Sequence, residues 1–415
     1  MKRVVRRTAS CWKGAATMLG GLFALLSAML APPTASAQAF VVLHSFNGAD
    51  GAYPLSALIE DSVGNLYGTT EEGAYGFGTV FELSPTGTET VLHAFTGVDG
   101  AYPCAGVVRD SAGNLYGTTG SNTSSGSGTI FELQPDGNLI LLFGFYSGAD
   151  GYDPTAGLTQ DSQGNLYGAT QQGGNDSCIY YGCGVVFKLN AKRNYRVLYA
   201  FPALADGASP YASVALDSSG DVYGSSINGG DTACPLNGNG CGTLFEVSPA
   251  GQERVLYAFQ GGTDGAFPEG SVLRDKAGNI YGTTAEGGDL SCYPPYGCGT
   301  VFSLSRSGKQ TVLHAFTGGS DGEIPYAGLI RDAEGNLYGT TFAGGNGSQC
   351  GNPAGCGIVF KIDMAGNETL LHAFSGGTDG AFPNGALLWG SLGALYGTAS
   401  GGGLFGFGTV FKVKP

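Results

Sequence analysis

Ten cysteines and four histidines hold most of the reactive side chains in this 415-residue chain. Eight of the cysteines fall in close pairs: Cys178 with Cys183, Cys234 with Cys241, Cys292 with Cys298, and Cys350 with Cys356. The third pair brackets Tyr293 and Tyr296 in SCYPPYGCGTVF, and the first brackets Tyr180 and Tyr181 in CIYYGC. Such pairs either oxidise to local disulfides or supply thiolates to zinc. Zinc would need pairs from distant parts of the chain to converge, and no histidine lies near any pair. Four local disulfides are therefore expected, each closing a small ring worth roughly 2–2.5 kcal/mol by chain entropy. Cys11 belongs to the leader described below, which leaves Cys104 expected to be unpaired, a small side chain near the molecular axis.

The histidines argue against nucleophilic catalysis. His44, His93, His314 and His372 occupy one slot of a recurring VLHAF string, where other copies carry Phe143, Tyr199 and Tyr257. A slot that accepts His, Phe or Tyr reads as a packing position, so no Ser-His-Asp or Cys-His set and no histidine metal site is expected. Chemistry then falls to carboxylates and tyrosines. Asp50, Asp99, Asp150, Asp206, Asp264, Asp321 and Asp379 each begin a DG pair, and such recurrence points to turn geometry. Calcium at the GGTDG and GGSDG loops is the one candidate cofactor; otherwise none is expected.

Places where the copies disagree carry more information. In the DGAYP segment, one copy substitutes Asp153 and another Glu323; the residue after the proline runs Leu55, Cys104, Thr155, Tyr211, Glu269, Tyr326, Asn384. Asp153, Glu269 and Glu323 are the catalytic candidates, since glycoside hydrolysis needs two facing carboxyl groups. Tyr180, Tyr181, Tyr211, Tyr293, Tyr296 and Tyr326 are the ligand-binding candidates, offering flat faces at low entropic cost.

The elements that position these residues follow from a repeat. NLYG or a close variant places Tyr67, Tyr116, Tyr167, Tyr223, Tyr281, Tyr338 and Tyr396 at intervals of 49 to 58 residues. Each copy carries four short apolar runs, in the first SALIED, NLYGTT, GTVFELS and TVLHAF, separated by Gly-, Asp- and Pro-rich turns. Four antiparallel strands repeated seven times predict an all-β fold, a seven-bladed β-propeller. The chain enters on VVLHSF and leaves on GTVFKVKP, so Val41 to Phe46 should close the ring as the outer strand of the blade built from Ala386–Trp389, Ala394–Thr398 and Thr409–Val413. The small pairs in AGVV, AGLT and AGLI place the first strand of each blade innermost. Strand alternation puts the DGAYP segments and every long, cysteine-bearing insertion on one face, the natural seat of function.

Lys2, Arg3, Arg6, Arg7 and Lys13, the apolar run from Met18 to Leu30 and the small residues of TASAQA make residues 1–37 a signal peptide, with the propeller domain over 38–415. Its loss leaves 14 basic against 33 acidic residues, a net charge near −19 that disfavours nucleic acid and anionic lipid as partners, and neither is expected. No later segment is long enough to span a membrane. A monomer, soluble after cleavage and secreted or periplasmic, is expected.

The composite VLHAF, DGAYP, DSAGNLYGTT and GTVFEL resembles the GloVer tandem-repeat proteins, an exported bacterial family whose members often end in surface-anchoring segments. The resemblance covers essentially the whole mature chain. It implies repeat architecture and export and brings no agreed activity or catalytic residue. The chain departs from anchored members in stopping at Pro415 without an apolar tail. The expected function is a recognition module for an extracellular glycan or protein through the insertion-bearing face; a carboxylate-dependent carbohydrate-active hydrolase or lyase and a structural envelope protein are the alternatives.

Overall fold

The computed structural model describes residues 40–121, 126–146, 148–175, 182–231, 233–236, 238–345, 347 and 349–415. The expected leader, Cys178, Tyr180 and Tyr181 lie outside the described residues. The chain forms seven antiparallel sheets arranged as the blades of a β-propeller. The first blade runs Ile59–Glu60, Leu66–Thr70, Thr79–Leu83 and Glu89–Ala94 from inside to outside. In the last blade Leu388–Trp389, Leu395–Gly401 and Thr409–Val413 are completed by Phe40–Ser45, which pairs with Thr409–Val413 in the register Phe40↔Val413. The ring is therefore latched by the expected strand, and no blade edge is left open between the two ends of the propeller. Two blades carry an additional short strand, Ala208–Pro210 or Ala381–Pro383, from the segment that enters them. Among the described residues no helix is long and apolar enough to cross a membrane.

The NLYG and GTVF strings fit one another. Gly224 pairs with Phe245 across the ladder, and a Cβ on Gly224 would stand 2.4 Å from the Phe245 ring. The same glycine lies over the same ring in every blade, Gly68 over Phe81 through Gly397 over Phe411. The missing side chain lets each ring lie flat on its own sheet and project into the junction with the preceding blade. There it meets, edge to face, the phenylalanine that ends the preceding blade's outer strand: Phe46 with Phe81 at 5.1 Å, Phe201 with Phe245 at 5.2 Å, Phe374 with Phe411 at 5.3 Å. All of these rings are fully buried, so the core is a ring of aromatic pairs, one per blade junction.

The turns between the two inner strands are tied by their aspartates. Asp61 accepts from the Val63 and Asn65 amides at 3.0 and 2.9 Å and from the Asn65 side chain and Tyr67 hydroxyl, both at 3.1 Å. This explains DSxGNxY as one closed hydrogen-bonded unit. Hydroxyls then sew blade to blade: Thr69 Oγ1 donates to the Ala105 carbonyl at 2.9 Å and Thr398 Oγ1 to the Ser56 carbonyl at 2.8 Å.

Candidate functional site

The segment that enters each blade bends sharply before its proline. Tyr53, Tyr102, Asp153, Ser209, Phe267, Ile324 and Phe382 all take left-handed φ values of 56 to 59°. A side chain there costs energy unless neighbours fix the backbone. Two links do so. The segment pairs with the loop of its own blade, as in Ala266↔Glu286 and Glu323↔Ala343. Its left-handed residue also donates its amide to the preceding blade: Ser209 to the Cys183 carbonyl, Phe267 to Cys241, and Phe382 to Cys356, each at 2.8 Å, and Ile324 to Cys298 at 2.9 Å.

Those acceptors are the second cysteines of the four pairs. In the short loops Phe77 and Phe407 hold the same post, accepting from Tyr102 and Tyr53 at 2.9 Å and packing on their rings. A staple thus replaces a packed phenylalanine where the loop is long. The Cys234–Cys241, Cys292–Cys298 and Cys350–Cys356 disulfides are formed with Cα separations of 5.4, 5.9 and 5.8 Å. Cys183 is also disulfide-bonded, though its expected partner lies outside the described residues. The bridges rest on the glycines of the GGxDG loops, since a Cβ on Gly261 would come within 2.3 Å of Cys241 Sγ and one on Gly318 within 2.7 Å of Cys292 Sγ. One expectation is corrected: Cys104 is not a lone thiol. It is disulfide-bonded, and no described cysteine is free.

The bend turns the residue after each proline toward the axis. Leu55, Cys104, Thr155, Tyr211, Glu269, Tyr326 and Asn384, the seven variable residues, all line one axial cavity of about 130 Å³. The pairs of small residues that follow them, drawn from Ala, Gly and Ser, complete the wall, which confirms that the first strand is innermost. Phe342 joins the lining and stacks on Phe382 at 4.9 Å with Tyr326 tilted against it at 5.4 Å. Thr155 Oγ1 is shielded from bulk solvent without a hydrogen-bond partner.

Among the described lining residues Glu269 is the sole carboxylate. Its neighbour is Glu286, whose carboxyl is pushed up to about 7 by burial and then by the Glu269 charge, and whose Oε2 has no hydrogen-bond partner. Sequence reasoning missed Glu286. Its signal was present, for the position two after each GTT-type run varies as Glu72, Ser121, Gln172, Asn228, Glu286, Ala343 and Gly401. Asp153 and Glu323 stand outside the lining. Burial lifts the Asp153 carboxyl to about 6, and its Oδ1 faces Gly120, beside Cys104. Glu323 packs against the Cys292–Cys298 bridge. On the stapled loop Tyr293 and Tyr296 stack on each other at 5.7 Å and remain 57% and 38% exposed.

The histidine slot is more than packing. His93 Nε2 lies 3.0 Å from Asp99 and the Tyr199 and Tyr257 hydroxyls donate to Asp206 and Asp264 at 2.9 Å, so the ring's polar tip engages the DG aspartate.

Fold and site together define a seven-bladed propeller whose repeated residues build the ring and whose variable residues meet at one axial mouth. The chain belongs to the family of the Gloeobacter/Verrucomicrobia repeat, which matches residues 30–234 and 294–415. No curated protein sequence matches it. Among solved structures it is similar to virginiamycin B lyase from Staphylococcus aureus, at 11% identity and a TM-score of 0.56 over 91% of this chain and 98% of that one. It is also similar to the extracellular domain of a hybrid two-component system from B. thetaiotaomicron, at 11% identity and a TM-score of 0.59 over 90% of this chain and 39% of that one. At such identities the likeness shows the fold alone.

Proposed function

We propose that the protein is an exported recognition module, secreted or periplasmic, that binds an extracellular glycan at the axial mouth of the insertion-bearing face. The observation that carries this reading is the convergence of all seven variable post-proline residues on one cavity, while the recurrent residues are spent on turns and junctions. The lining mixes Tyr211, Tyr326 and Phe342 with Thr155, Asn384 and Glu269, which is the chemistry a sugar ring asks for: flat apolar faces beside hydroxyl and carboxylate partners. A cavity of about 130 Å³ has room for about four water molecules at about 30 Å³ each, the scale of part of one sugar ring seated in the mouth. Tyr293 and Tyr296 offer a second flat surface on the same face for the rest of a chain. The signal-peptide features and the disulfides support export. The test is binding to an array of defined glycans. Capture by wild type with at least a tenfold loss in Tyr326→Ala supports the reading, and capture untouched by Tyr326→Ala and Tyr211→Ala contradicts it.

A second reading rests on Glu286 beside Glu269. A carboxyl held neutral to about 7 beside a second carboxyl is the arrangement of a general acid with its base or nucleophile, the pair a carbohydrate-active hydrolase or lyase needs. Release of new oligosaccharides from a bound polymer, abolished in Glu286→Gln, would favour it over recognition alone.

A further inference from the structure

We infer that two of the seven blade junctions are divalent-metal sites, each built from the histidine of one outer strand, the aspartate of the DG turn that follows it, and the first glutamate of the next blade's outer strand. His44, Asp50 and Glu89 form one set, where the closing strand meets the first blade; His314, Asp321 and Glu368 form the other, between the fifth and sixth blades. In each set one ligand atom from every residue lies within 4.8 Å of the other two.

The donors are one imidazole nitrogen and two carboxylate oxygens, a set that suits Zn²⁺ or Mn²⁺ and leaves a position for water. His44 Nε2 stands 3.2 Å from Asp50 Oδ2, and His314 Nε2 stands 3.7 Å from Asp321 Oδ2. Two atoms each about 2.1 Å from one ion fall at these spacings when they subtend about 100–125°. Outer partners already orient the carboxylates. The Asn47 amide and side chain donate to Asp50 at 2.9 and 2.7 Å, and the Thr317 amide and hydroxyl donate to Asp321 at 3.0 and 2.8 Å.

A separate observation points to a ligand. Glu89 Oε1, Glu368 Oε1 and His314 Nε2 are all shielded from solvent without a hydrogen-bond partner. Unmade bonds of this kind are costly, and in the second set two of them belong to residues of one triad. An ion shared by the three residues satisfies them together.

The remaining junctions serve as built-in controls. The glutamate slot holds Leu139 after the His93 junction, Phe40 stacked on His372 at 3.6 Å, Tyr195 donating to the Asp150 carbonyl at 2.6 Å, and Gln310 donating to the Asp264 carbonyl at 3.1 Å. Glu253 Oε1 is also unpaired, but its junction presents Tyr199 in place of an imidazole. Histidine and glutamate coincide at two junctions, and both are the sets described. Each ion would tie one blade to the next, and the first would clamp the closing strand.

The experiment is calorimetric titration of chelator-treated, folded protein with Zn²⁺. Two equivalents are expected, with a rise in melting temperature on loading. Glu89→Gln and Glu368→Gln should each remove one equivalent, the double variant both, and His93→Gln, outside either set, should leave two. A Co²⁺ derivative should show the visible bands of a nitrogen- and oxygen-ligated ion that the double variant lacks. Any stoichiometry other than two for folded wild type, or uptake surviving the double variant, overturns the proposal.

Discussion

The carbonyl of Cys298 accepts a hydrogen bond from the amide of Ile324, 2.9 Å away on the next blade. The stapled loop therefore acts on its neighbour, because Ile324 is the left-handed residue, at φ 59°, that turns Tyr326 into the axial cavity. Replacing Cys292 and Cys298 together by serine should lower stability by about 2 kcal/mol through loss of the small ring. It should also speed hydrogen exchange at the Ile324 amide while sparing that of Phe267, which hangs on Cys241. Equal protection of Ile324 in variant and wild type would contradict the link.

Gly224 tests the aromatic core. Gly224→Ala puts a methyl group where the Phe245 ring lies 2.4 Å away, so the ring must leave its edge-to-face contact with Phe201. Overpacking of this kind should cost about 1–3 kcal/mol in chemical denaturation. Gly238→Ala, with nothing within 4 Å of the new atom, should cost far less.

Acid sensitivity should reside in the inner turns. Burial works to raise the Asp275 carboxyl, but donation from the Asn279 side chain and amide, the Tyr281 hydroxyl and the Ala277 amide outweighs it and holds the group below its ordinary 3.8. A lowered carboxylate contributes stability that is present above 3.8 and is lost as pH falls through the folded value. Asp275→Asn should cost about 1–3 kcal/mol at pH 7. Melting of the two proteins should converge below pH 3.8.

Glu286 predicts the opposite slope. Its folded carboxyl keeps its proton to about 7 against an ordinary 4.5, so wild type loses stability as pH climbs through that window. Glu286→Gln removes the charge with little change of shape and should stabilise by about 1–3 kcal/mol at pH 8, the gain shrinking as pH falls and vanishing below the ordinary 4.5. A pH-independent effect would show that burial beside Glu269 does not govern this group.

How far these relationships were legible in the sequence depended on whether partners shared one repeat. The NLYG period, the DSxGN turns and the three described staples were readable because each unit closes within about a dozen residues. The VVLHSF overhang also exposed the latch, since a repeat that begins out of phase has one natural completion. The axial cavity was half visible: the post-proline variety named its seven residues, but their convergence needed the left-handed bend, which nothing marks when Tyr, Asp, Ser, Phe and Ile all adopt it. Junction chemistry was hidden. The role of His314 depends on Glu368, 54 positions on in the next repeat, and slot-by-slot comparison within one strand cannot see that pairing.

The central claim, recognition of a glycan at the axial mouth, is tested most directly by exposing the mature protein to a broad panel of polysaccharides. The retained fraction would be measured and the supernatants analysed by mass spectrometry for new oligosaccharides. The account predicts retention by at least one polymer without products, and loss of that retention in Tyr326→Ala. No retention by any polymer, or retention that Tyr326→Ala leaves intact, would contradict it.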